Sequence, residues 1–167
     1  NSDNINAYED CKNKKAIGYA IGDSAAEITL VKRELIKDLE ILGEHCTIEL
    51  LWTDSIVKTT QAIKVNLQIS GVLPGSEMLM LNECYAIDDL QLPPRSLNVE
   101  KLKKQFPYLR EVPFESYYDA IPCVLIGSRH AHMFEAIEPV KQGGSCKPVA
   151  RVVKTYSILQ NMYTYPT

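Results

Sequence analysis

Ala20-Ile21-Gly22-Asp23-Ser24-Ala25-Ala26-Glu27-Ile28 is the stretch on which the reading of this chain turns. A single Asp follows a small apolar run and precedes a hydroxyl and two small residues. Taken alone, the pattern is a turn in which the Asp and Ser side chains cap backbone N–H groups. The alternative is chemical: a carboxylate and a hydroxyl presented at the end of a strand. Asp-Ser-small is a weak motif, so its surroundings must decide.

Upstream, residues 1–15 are polar and charged and read as a flexible leader, followed by a short strand over residues 15–21. Downstream, Ile28-Thr29-Leu30-Val31 is β-prone. The period then changes: Leu35, Ile36, Leu39 and Leu42 share one face, with charged residues between them. That predicts an amphipathic helix of about three turns over residues 31–42, stopped by Gly43. Ile48, Leu50 and Trp52 alternate with other residues, as do Ile63, Val65, Leu67 and Ile69. Two alternating runs around Thr53-Asp54-Ser55-Ile56 predict a β-hairpin. A strand follows over residues 78–85. Pro93, Pro94 and Pro107 keep the next stretch out of any central ladder, although residues 96–105 suit a short helix. Cys123-Val124-Leu125-Ile126-Gly127 reads as a buried strand with a special backbone at its end. Weaker strands are expected over residues 147–153 and 156–159. The fold class is mainly β with two short helices.

The chain of 167 residues, 46% hydrophobic and 23% charged, suits one folded domain, taken as residues 16–167. A net charge of -3 gives no general field for phosphates, so nucleic acid is not an expected partner. No apolar run approaches the ~20 residues of a membrane span. Cys11, Cys46, Cys84, Cys123 and Cys146 are scattered, with no C-x-x-C pair, which favours free thiols in a reducing, cytoplasmic compartment. His130 and His132 lie two apart, unlike a helical metal pair, so neither a metal nor another cofactor is expected.

The context of Asp23 resembles the active-site loop of retropepsin-like aspartic proteases, in which an apolar strand leads into Asp-Thr/Ser-Gly-Ala. The apolar run ending in Gly127, then Ser128-Arg129-His130-Ala131-His132, matches the second conserved element of that fold. A more specific resemblance covers residues 16 to about 159. Leu92-Pro93-Pro94-Arg95-Ser96, Val99-Glu100-Lys101-Leu102-Lys103, Phe106-Pro107-Tyr108-Leu109 and residues 126–132 look like the protease region of BEL/Pao-type retrotransposon polyproteins. The resemblance implies a closed acid-protease β-barrel with a Pro-rich insertion over about residues 90–120. It implies Asp23 as the catalytic residue in a loop with Ser24, Ala25 and Ala26. Ile126 and Gly127 would support that loop. Trp52, Thr53, Asp54, Ser55 and Ile56 would form the substrate-covering flap.

One such Asp per chain implies a symmetric homodimer, because the chemistry needs two carboxylates sharing one proton. The substrate would be an extended peptide or polyprotein. The departures from the family are Ala25 in place of Gly, Gly22 before the Asp, a flap tip without Gly, and a C-terminal element reduced to Lys154-Thr155-Tyr156. A methyl at Ala25 is expected to limit φ and crowd the partner loop. These departures keep open a catalytically silent domain, divergent or domesticated, that serves as a dimerisation or peptide-binding module.

Overall fold

The computed structural model describes residues 2–8, 14–52, 54–71, 75–113, 115–135, 138–144, 147–152 and 157–161. In chain order they form β1 (Ser2–Tyr8), β2 (Lys15–Gly22), β3 (Leu30–Lys32), α1 (Arg33–Asp38), β4 (Glu44–Leu51), β5 (Val57–Gly71) and β6 (Leu79–Ile87). Then come β7 (Arg95–Leu97), α2 (Val99–Gln105), β8 (Tyr117–Ala120), β9 (Pro122–Ile126), β10 (Lys141–Gln142), β11 (Pro148–Val152) and β12 (Ser157–Asn161). Two 3-10 segments, Pro107–Leu109 and Ser128–Phe134, complete the set. The molecule is mainly β.

The principal sheet is mixed and runs β1-β2-β9-β3-β6-β5-β4. Strand β1 also pairs with β5, from Ile5 opposite Gly71 to Tyr8 opposite Gln68. The sheet is not the plain closed barrel of the expectation: β4 projects beyond this ring, with β5 its one neighbour among the described residues. The expected leader is corrected as well. Ser2–Tyr8 is a strand in full register with β2, from Ser2 opposite Ile21 to Tyr8 opposite Lys15.

The central strands carry continuous apolar runs because both faces are covered. Ala20, Val31, Ala86, Val124 and Ile126 belong to one cluster, completed by Leu35, Ile36 and Leu39 of the α1 region and by Val65, Leu67 and Ile69 of β5. Their sequence neighbours Ile21, Leu30, Ile87 and Leu125 belong to a second cluster. Cys46, Ile48, Leu50 and Trp52 pack on it from the β4 side. The Cys123-Val124-Leu125-Ile126 run is thus a strand that feeds two cores by turns.

Helix α1 is shorter than the three turns expected. Val31 and Lys32 are claimed by the ladder, paired to β6 and, at Val31, to β9. Glu40, at φ 55, ends the helical path before Gly43 is reached. Leu42, assigned to the apolar face by its spacing, is 90% exposed. Here tertiary pairing overrides periodicity.

Residues 90–120 do leave the sheet, as the prolines require. Strands β7 and β8 pair only with each other among the described residues. Asn98 caps α2, its Oδ1 accepting from the Lys101 N–H at 3.0 Å. Ser116 Oγ accepts from the Val99 N–H at 2.9 Å, and Ser96 Oγ from the Asp119 N–H at 2.8 Å. The excursion has its own small core of Leu109 and Val112, with Leu97, Leu102, Phe106 and Tyr108 against it.

Candidate active site

Asp23 stands where β2 ends. Strand β2 runs parallel to β9, with Gly22 opposite Ile126. The next amide continues the ladder, the Asp23 N–H donating to the Ile126 carbonyl at 2.9 Å. The chain then turns. The Ala25 N–H donates to Asp23 Oδ1 at 2.9 Å and the Ala26 N–H to the Asp23 carbonyl at 3.2 Å. The capping turn and the presented carboxylate therefore coexist: one carboxylate oxygen steadies the loop while Asp23 stays half-buried, with Ser24 and Ala25 exposed beside it. Ala25 does not have a positive φ. The expected backbone strain at this residue is absent, so the methyl group is accommodated at no conformational cost within one chain.

The segment after β9 grips the far side of this loop. The Ser128 N–H donates to the Ala26 carbonyl at 2.7 Å and the Arg129 N–H to the Glu27 carbonyl at 3.0 Å. Gly127 is buried where the two backbones cross. A Cβ there would overlap the carbonyl of Ile28 and reach the Ala26 oxygen at 3.0 Å. Glycine is thus required by contact, its φ of -92 being open to any residue. Ile126 is fully buried beneath. The Arg129 guanidinium lies 3.4 Å from Glu27 and 3.8 Å from Glu83, exposed pairs that add little stability.

Beneath the loop is a polar chain that the sequence did not reveal. The Gly127 N–H donates to Thr29 Oγ1 at 3.1 Å, Thr29 Oγ1 is 2.6 Å from His130 Nδ1, and His130 Nε2 is 2.8 Å from the Asn82 carbonyl. Thr29 is 0% and His130 5% exposed. A carbonyl only accepts, so Nε2 carries the proton and Nδ1 accepts from the Thr29 hydroxyl. Burial pushes the His130 pKa down, reinforced by the charges of His132 and Arg129 and opposed by the Asn82 carbonyl. No local signal links residues 101 positions apart, and Thr29 within an apolar run looked like an ordinary β residue.

The expected flap is the β4–β5 hairpin, in register from Glu44 opposite Lys64 to Leu51 opposite Val57. Trp52 is half-buried and packs on the cluster that contains Ile21 and Leu125, on the strands that carry Asp23 and Gly127. Asp54, Ser55 and Ile56 are exposed. Their hydrogen bonds among the described residues stay inside the tip: the Ser55 N–H to the Trp52 carbonyl at 2.9 Å, the Ile56 N–H to Asp54 Oδ1 at 3.1 Å. Ser55 takes φ 61, the backbone that a glycine would adopt freely. Thr53 lies outside the described residues. The structure thus joins Asp23, Ala26, Ile126 and Gly127 directly and brings Trp52 to the cluster on which Ala26 packs, while residues 54–56 stand apart.

Cys46, Cys84 and Cys123 are free thiols; burial pushes the Cys84 pKa up to about 12, which makes it inert packing. Cys11 and Cys146 lie outside the described residues. Among the described residues no helix is long and apolar enough to cross a membrane, and no group of three or more His, Cys, Asp or Glu could hold a metal ion. No family model, no curated protein and no solved structure matches the chain.

Proposed function

We propose that the chain is a retropepsin-type aspartic endopeptidase that works as a homodimer, with Asp23 from each subunit at the two-fold axis. One observation carries the reading. Asp23 leaves a parallel β2–β9 pair with its backbone held by Ile126, and its loop is clamped by Gly127, Ser128 and Arg129. Ser24 and Ala25 are turned outward, where a second copy could meet them. The second pairing of β1, to β5, supports an acid-protease barrel with β4 extending beyond it.

Two Asp23 carboxylates share one proton. The ionised one takes a proton from water, which attacks the scissile carbonyl, while the protonated one donates a hydrogen bond to that carbonyl oxygen. The proton taken from water then passes to the amide nitrogen as the C–N bond breaks, which leaves one acid and one amine and returns the pair to its shared proton. The extended substrate or polyprotein lies between the loop and the β4–β5 hairpin, which closes over it. Strained Ser55, in a tip without glycine, favours a second reading, a silent dimerisation or peptide-binding module. The three free thiols fit a reducing, cytoplasmic setting.

The test is cleavage of a peptide library at mildly acidic pH, with sedimentation of the same sample. Cleavage by a dimer, blocked by a pepstatin-like transition-state mimic and lost in Asp23→Asn, supports the enzyme. A dimer without cleavage supports the silent module. Cleavage that survives Asp23→Asn overturns the assignment.

A further inference from the structure

We propose that His130 is a positioning residue for the Asp23 loop, and that only its neutral ring, protonated at Nε2, holds the loop in place. The inference rests on the protease reading only for its effect on cleavage; its structural content stands alone.

Donors and acceptors are matched one to one in the closed space around Thr29 Oγ1. Thr29 Oγ1 has one proton to give and accepts the Gly127 N–H at 3.1 Å. The neutral ring accepts that proton at Nδ1 and gives its own Nε2 proton to the Asn82 carbonyl. Every polar atom is then satisfied. A proton added at Nδ1 turns the ring from acceptor to donor, so the two lone pairs of Thr29 Oγ1 meet two N–H groups and its own proton must turn away from the ring. The Thr29 proton is left without its acceptor in a buried site, which costs more than the same loss at a surface. The charged groups on His130's own segment, Arg129 and His132, also oppose a second positive charge. On the elements packed against it, Glu83 follows Asn82 on β6 and Glu27 lies in the loop, but Arg129 engages both. A shift of the Thr29 hydroxyl toward a new acceptor weakens its hold on the Gly127 N–H. Gly127 lies between Ile126, whose carbonyl holds the Asp23 N–H, and Ser128, whose N–H holds Ala26. Protonation at His130 therefore loosens both ends of the loop that aims Asp23.

Nitrogen-15 histidine spectra of the full chain across a pH series test this, with hydrogen exchange at the Gly127 amide. His130 should be the Nε2–H tautomer and titrate below the ordinary histidine value of 6.5. The Asp23, Ala26 and Gly127 amides should shift with its midpoint, and Gly127 protection should fall by ~10-fold or more through it. His130→Asn keeps a donor and an acceptor but cannot titrate, so the loop transition should vanish. If that variant does not fold, the exchange data on the parent chain decide. For cleavage, the acidic limb of kcat/KM should follow the His130 midpoint in the parent and move to lower pH in His130→Asn. An Nδ1–H tautomer, loop amides that ignore the His130 midpoint, or a loop transition that persists in His130→Asn overturns the proposal. If no cleavage occurs in any form, the protease reading fails while the spectra still decide the role of His130.

Discussion

The Asp23 loop and the tip of the β4–β5 hairpin are both short polar turns with an Asp that caps its own backbone, yet they are held in opposite ways. The hairpin tip closes on itself. Asp54 accepts from Ile56 and lies 3.5 Å from Lys58, and nothing more distant in sequence is needed. The Asp23 loop is held from outside, by Ile126, Ser128 and Arg129 about a hundred positions away, and through the buried contact of Thr29 with His130, which spans 101 positions. A turn closed by local bonds can move as a unit on its strands. A turn held by a second element is fixed to the core. The first arrangement suits a cover, the second a group that must be aimed to within a fraction of an ångström.

The sharpest way to break this comparison is Asp23→Asn. Cleavage should fall by at least ~10²-fold, the lower end of what a general base contributes. The amide can still accept from Ala25, so circular dichroism and dimerisation should be unchanged. A loss of folding would mean that the carboxylate is structural.

Gly127→Ala comes next. Its methyl group meets backbone at Ile28 and Ala26, where no side chain can give way. Urea unfolding should show a loss of about 2–3 kcal/mol, with cleavage impaired at temperatures where the protein is still folded. A neutral result would show that the loop is not clamped here.

Thr29→Val removes the hydroxyl and strands the Gly127 N–H in a buried place. About 1–3 kcal/mol should be lost, and Thr29→Ser should restore most of it. Equal stability of the Val and Ser forms would break the argument for the polar chain.

A pH series sharpens the same point. The folded His130 pKa lies below the ordinary 6.5, so the fold prefers the neutral ring. The unfolded chain takes up the proton first. Stability is therefore fully present above pH 6.5 and falls as pH drops from there toward the folded value, then levels. In His130→Asn this component of the slope should be absent.

The smallest effect belongs to the tip. Ile56 is 55% exposed, so Ile56→Ala should change stability by less than ~0.5 kcal/mol. If the hairpin covers substrate, KM should rise while kcat holds. A stability loss matching that of Gly127→Ala would erase the distinction between the two turns.

Much of this was legible in one dimension. The hairpin followed from alternation on either side of Asp54-Ser55, the excursion from its prolines, and the loop from Asp23-Ser24 after an apolar run. These are local properties: side-chain period, missing N–H donors, and caps within two residues. They fail where a partner arrives from far along the chain. Val31 and Lys32 suited a helix until β6 claimed them. Residues 2–8, read as part of a polar leader, are a strand paired to both β2 and β5.

By itself the sequence determined that the chain is mainly β, that it carries one candidate catalytic Asp, and that residues 90–120 lie outside the sheet. Only the tertiary structure decided what holds that Asp: a glycine with no room for a methyl, and a histidine kept neutral by burial, its tautomer set by a threonine and a carbonyl. The physical reason is that packing and buried hydrogen bonds depend on which surfaces meet, and a surface made from residues 29, 82, 127 and 130 does not exist until the fold has closed.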